Sequence, residues 1–164
     1  MTLYRTLAPA ALALLLAGPA LGLSCMRPDA ARTYQQLDAA EERYIAVHGE
    51  LTFDETKLPE TDLQDQGSTP ESTPLPARLR GMSLSPEGFT TPFDRPVTLD
   101  VRCYGPWCAG VASGTEVLGF VELRESGPVL TLDPCYSVTI PEPDRKMLDQ
   151  VISCMKGEGC EPVE

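Results

Sequence analysis

All six cysteines of this chain, Cys25, Cys103, Cys108, Cys135, Cys154 and Cys160, lie downstream of an apolar N-terminal stretch, and this arrangement constrains the fold more than any other feature. A leader that directs export carries the thiols into an oxidising compartment, where disulfide crosslinks are their expected fate. The leader consists of Arg5, an apolar segment from Ala10 to Ala17, the breaker pair Gly18-Pro19, and small residues at Ala20 and Gly22. Residues 1–22 are therefore expected to be a signal peptide, cleaved near Ala20 or Gly22. The apolar run falls short of the ~20 residues a membrane span requires, so no stable membrane insertion is expected after processing. Lipid attachment at Cys25 is the alternative. It fits less well, because Gly22-Leu23-Ser24 departs from the usual Leu-small-small context and lipidation would leave an odd number of thiols. The expected location is periplasmic or secreted.

The chain carries 24 acidic against 13 basic residues, a formal charge of -11. Arg5 is the only charged residue of the leader, so processing makes the balance one unit more negative. Nucleic acids and anionic lipids are bound through Lys and Arg clusters, and none is present here. The length left after processing suits one domain, 23–164, small enough for disulfides to add useful stability.

Along that domain, Pro28 stands where a first helical turn tolerates it, and Ala30, Tyr34 and Leu37 share one helical stripe. Ile45, Val47, Gly49, Leu51 and Phe53 alternate with Ala46, His48, Glu50 and Thr52, which predicts a half-buried strand over Tyr44 to Phe53. From Asp54 to Pro76, acidic residues and prolines are mixed with Gly, Ser and Thr, which predicts a solvated insertion. Its acids lack the spacing of an EF-hand calcium loop. Further strands are expected over Ala77 to Ser85, with a bulge or bend near Gly81, and over Val97 to Cys103. A turn-rich run from Tyr104 to Gly110 follows, and then Glu116 to Glu125 and Val129 to Leu132 are expected to form a hairpin about Ser126-Gly127-Pro128. Met147, Leu148, Val151 and Met155 form a stripe on a last helix, Asp144 to Met155, stopped by Gly157 and Gly159. A sheet this short removes its edges best by closing, so the expected fold is mainly β: a small five-stranded OB-like barrel with a short helix at each end.

Ser24-Cys25 ahead of a helix, the strand Ile45 to Leu51, the run Cys108-Ala109-Gly110-Val111-Ala112-Ser113-Gly114-Thr115-Glu116-Val117-Leu118-Gly119-Phe120, and Leu130-Thr131-Leu132-Asp133-Pro134-Cys135 together resemble the netrin-like domain. That group includes the amino-terminal domain of tissue inhibitors of metalloproteinases and many bacterial exported proteins. The resemblance implies an OB-type barrel whose N-terminal segment is pinned by disulfides. It also implies Cys25-Cys135 as one bridge. In that frame Cys108 lacks its family partner and Cys103 takes the place through the Gly105-Pro106 turn, which leaves Cys154-Cys160 as a local clamp on the last helix. The sequence by itself leaves the connectivity open.

The chain also departs from the family. Where the inhibitors begin Cys-x-Cys and chelate a protease zinc through the first cysteine's amine and carbonyl, this chain has Leu23-Ser24-Cys25. Without a crosslink at Leu23 those groups are not preorganised, so metalloprotease inhibition is not carried over.

Catalytic readings find little support. His48 is the only histidine, expected on the exterior face, and no Gly-x-Ser-x-Gly elbow accompanies it. The cysteines lack the paired C-x2-C units of a zinc site, and no metal or other cofactor is expected. Cys103 and Cys108, flanked by Pro106 and Trp107, suggest a thiol-disulfide pair as an alternative, although their spacing lacks the helix N-terminus that activates such thiols. Trp107 has two readings, cover for a disulfide or exposed binding anchor, and the area an indole buries favours the first. The leading expectation is a non-enzymatic, disulfide-stabilised binding module whose partner is a protein of the cell envelope or extracellular space. A redox protein and a protease inhibitor are the alternatives.

Overall fold

The computed structural model describes residues 22–62 and 65–162. The expected leader lies outside them except for Gly22. Among the described residues, two α-helices and seven strands follow in chain order: α1 (Ala30–Asp38), β1 (Tyr44–Phe53), β2 (Ser72–Ser85), β3 (Gly88–Tyr104), β4 (Trp107–Cys108), β5 (Thr115–Arg124), β6 (Gly127–Leu132), β7 (Thr139–Pro141) and α2 (Arg145–Lys156). Strands β1-β2-β3-β6-β5 form a closed ring of five, completed by the antiparallel β1–β5 pair. The β3–β6 pair is parallel, and β7 extends the sheet beside β5. The expected closed, mainly β fold with a helix at each end is present.

The ring closes because β1 pairs along both edges, with β2 from Val47 to Phe53 and with β5 from Tyr44 to Leu51. A strand held this way must pass close to its neighbour, and Gly49 faces Gly81 at that point. A Cβ at Gly49 would lie 2.7 Å from the Gly81 Cα, and one at Gly81 would lie 2.5 Å from the Gly49 Cα. The phase change expected at Gly81 is thus a close backbone approach, whereas the β2–β3 register slips further on, between Ser83 and Leu84.

Two cores result. Val47, Leu51, Leu79, Leu99, Val101, Val117, Val121 and Leu130 fill the ring interior. On the outer face of β1 and β5, Ala46, Leu118 and Phe120 are covered by Ala30 of α1, Ile140 of β7 and Val151 of α2. Strand β5 is therefore apolar on both faces, which explains its unbroken buried run from Val117 to Val121.

Several expectations require correction. The insertion does not reach Pro76: β2 begins at Ser72, so Ser72 to Pro76 are strand. The insertion is also partly built in. Its Leu58 packs against the ring core, the Glu55 carboxylate accepts the Ser113 N–H at 2.6 Å, and short 3-10 turns span Glu55–Lys57 and Gln66–Ser68. Strand β3 starts at Gly88, well ahead of Val97.

The prolines explain how both strands tolerate them. The Cys103 N–H donates to the Glu71 carbonyl in the β2–β3 register, so odd-numbered positions exchange that ladder's bonds and even-numbered amides turn outward. Pro74, Pro76, Pro92 and Pro96 are all even-numbered, and the ladder loses no donor. Pro74 and Pro76 lie just beyond the end of β1 at the Phe53–Ala77 pair, and Pro92 and Pro96 lie just before β6 joins at Thr98. They occupy edges that another strand could otherwise join.

At the helices, Asp29 caps α1 by accepting the Arg32 N–H at 2.9 Å, which leaves Pro28 ahead of the cap and outside the first turn. Asp144 caps α2 at Met147, and Gly157 ends it in the left-handed conformation. Met155 lies at the end of the α2 stripe but is 36% exposed. The turn-rich run also contains β4, whose two residues pair with Tyr104 and Cys103.

If close approach at Gly49 sets the ring, Gly49→Ala should destabilise the protein by about 3 kcal/mol. Gly110→Ala, where a Cβ meets nothing within 4 Å, should change stability by less than about 0.5 kcal/mol. Urea unfolding of the two variants checks this, and equal midpoints would contradict it.

Candidate functional site

Where the helical layer meets the ring, the chain leaves a groove. Helix α1 ends as the Ala39 and Ala40 amides bond back to Gln35 and Leu37, and the Arg43 carbonyl accepts the Leu123 N–H at 2.8 Å, which fixes the connection to the ring. The groove, about 360 Å³ in volume, lies between this connection, the start of β1, Leu84 of β2, Phe120 of β5 and Met155 of α2. Tyr34, Leu37, Tyr44 and Ala46 complete its floor, and Asp38, Glu41, Glu42 and Arg43 form its exposed rim. The Tyr34 hydroxyl lies 3.7 Å from the Met155 sulfur.

The rim carboxylates act on the floor. Burial, followed by the charge of Asp38, raises the Tyr34 pKa. Burial also raises that of Tyr44, with Glu122 and Glu42 adding to it and Arg124 opposing. Both phenols stay protonated at neutral pH, in a negative potential.

A second hollow shares Tyr44 and Phe120 with the groove and contains Asp100, Arg102, Glu122, Arg124 and Asp133. Its charges are satisfied within the fold. Arg124 grips Glu122 through two bonds of 2.6 Å, and Arg102 lies 3.3 Å from Asp100. Buried Asp133 accepts the Cys135 and Ser137 N–H groups at 2.9 Å and shapes the loop that carries Cys135. A third hollow, lined by Pro74, Pro76, Pro96 and Pro128, contains no ionisable side chain.

The sequence-derived candidates are dispersed. Cys25 is bonded to Cys135, Cys103 to Cys108 and Cys154 to Cys160, and no cysteine is free. Cys103 and Cys108 face one another across β3 and β4, with no helix N-terminus at either sulfur to favour a thiolate. A Cys25 sulfur joined to Cys135 has no valence left for a lipid thioether. Trp107 is half-buried over the Gly105 turn, and its strand partner Tyr104 is the exposed aromatic of that hairpin, at 45%. His48 sits on the outer face with its ring edge-on to Phe89 at 5.9 Å. Among the described residues, no group of three or more His, Cys, Asp and Glu side chains could hold a metal ion, and no helix is long and apolar enough to cross a membrane.

Sequence reading placed Tyr34 and Met155 on helical stripes but had no means of joining them to Leu84 and Phe120. The usable signal was the acidic run Asp38, Glu41, Glu42 directly ahead of the aromatic Tyr44. No family model, curated protein or solved structure matches this chain.

The Glu122–Arg124 pair predicts a pH dependence. The hydrogen bond from Arg124 holds the Glu122 carboxyl below its ordinary pKa, so the pair's stabilisation is present above the unfolded-state pKa and lost as pH falls through the folded one. Glu122→Gln is expected to lower stability at neutral pH by no more than about 1 kcal/mol and to have no effect below the carboxylate range. Urea titrations at both pH values check this, and a difference that persists in acid would contradict it.

Proposed function

We propose that this chain is an exported, disulfide-stapled interaction module of the cell envelope or extracellular space, with no enzymatic activity of its own. The observation that carries this reading is that every cysteine sulfur is committed to a crosslink while the groove between helices and ring is lined by aromatic, aliphatic and carboxylate groups, Arg43 and the Met155 thioether, with no Ser, Thr, Cys, Lys or His. Acid–base or covalent catalysis needs a titrating group held beside a reacting atom, and the single imidazole packs against Phe89 instead. The crosslinks favour an oxidising compartment. An OB-type, netrin-like assignment draws support from the closed five-stranded ring with its one parallel pair and from the Cys25 tether ahead of α1.

Two measurements test the proposal. Under native conditions a mild dithiol should leave all three bridges oxidised, whereas facile, reversible reduction of Cys103–Cys108 would favour the redox alternative. In the producing cell, a photo-crosslinking residue placed in turn at the exposed positions Met26, Met82, Tyr104 and Met155 should yield one discrete adduct from a subset of sites. No adduct at any position, or a smear from all of them, would contradict the proposal.

A further inference from the structure

We infer that the groove between α1 and β1 is a docking slot for a basic amphipathic polypeptide segment, one that seats a bulky apolar side chain on the Tyr34–Tyr44–Phe120 floor and sets neighbouring Lys or Arg residues against Asp38, Glu41 and Glu42. This rests on the interaction-module reading above and gives it a location and a partner chemistry.

The floor comes from four separate elements, α1, β1, β2 and β5, with Met155 of α2 as a fifth contributor. Met155 is the one member of the α2 stripe that the core leaves exposed, and its flexible thioether suits a surface that must fit a visiting side chain. At about 360 Å³ the space lies near the small end of ligand pockets, enough for one or two side chains.

The rim decides the charge of the occupant. Three carboxylates face Arg43 alone, and the surrounding molecule carries a net charge of -11. An acidic segment, or a second copy of this chain, would approach against that field. An added strand has little to pair with at this site, because β5 covers one edge of β1 from Tyr44 and β2 covers the other from Val47, which leaves only Tyr44 to Ala46 open. Side-chain insertion with cationic flanks is the mode that remains, and the half-buried phenols add ring faces against which a cation can rest.

The test uses the full disulfide-bonded chain, 15N-labelled, titrated with a synthetic Leu/Lys amphipathic peptide. Amides from Tyr34 to Ala46 and around Leu84 should shift. Glu41→Lys/Glu42→Lys, both exposed positions, should weaken binding by about tenfold or more while the rest of the spectrum keeps its dispersion. Met155→Ser should weaken it several-fold, because the floor loses an apolar contact. The same peptide with Glu in place of Lys should not bind.

Undiminished binding to the charge-reversed variant, shifts confined to the acidic insertion, or equal affinity for spermine would each overturn the proposal. The first two outcomes mean generic adsorption, and the third means that the apolar floor is unused. Failure of the peptide alongside a discrete photo-adduct at Met26, Met82 or Tyr104 rejects the groove and leaves the module reading standing. Absence of any adduct rejects the module reading itself.

Discussion

Strand β1 is paired along its whole length, and the rest of the structure depends on that double pairing. One edge bonds to β2 and the other to β5, so the sheet has to curve until its ends meet. The curvature is possible because Gly49 and Gly81 face each other without side chains. Once the ring has closed, alternate residues of β1 and β5 divide between two cores. Val47, Leu51, Val117 and Val121 turn inward, and Ala46, Leu118 and Phe120 turn outward to seat the helices. The strand edges left over at the ends of β2 and β3 carry prolines on the parity that faces away from their own ladder, which blocks further strand addition.

The helical layer is fastened to the ring at its chain ends. Cys25, just ahead of α1, is joined to Cys135 across 110 residues, a closure on the order of 4–5 kcal/mol in the chain-entropy account. The receiving loop is ordered from within by Asp133 and from outside by α1, whose Thr33 hydroxyl donates to the Ser137 carbonyl at 2.7 Å. The C-terminal tail closes the same layer. Cys154–Cys160 folds it back against α2, and Gln35 of α1 donates to the Cys160 carbonyl. The groove is the junction between this fastened layer and the ring, so the crosslinks that order the helices also give the groove its walls.

The sequence revealed those elements in which one periodicity governs. The limits of β1 match the alternation from Tyr44 to Phe53, and both helices follow their apolar stripes. The first half of β2 was hidden because Pro74 and Pro76 read as strand breakers, even though Leu75 and Leu79 hold the two-residue repeat on the buried face. Their harmlessness depends on ladder parity, which is a property of the paired strands and not of the segment. Pro92 and Pro96 masked the first half of β3 in the same way. Strand β7 is too short to show a period. The groove was the least legible part, since Tyr34, Leu84, Phe120 and Met155 meet only through ring closure and helix docking.

Closure of the ring through both edges of β1 is the claim on which the two cores and the groove all rest, and native-state hydrogen exchange measures it most directly. The β1 amides bonded to β2, between Val47 and Phe53, and those bonded to β5, between Tyr44 and Leu51, should exchange together, with the free energy of global unfolding, while the 39–43 connection opens far more easily. If either set exchanged as readily as that connection, one edge of β1 would be fraying independently and the closed ring would be contradicted.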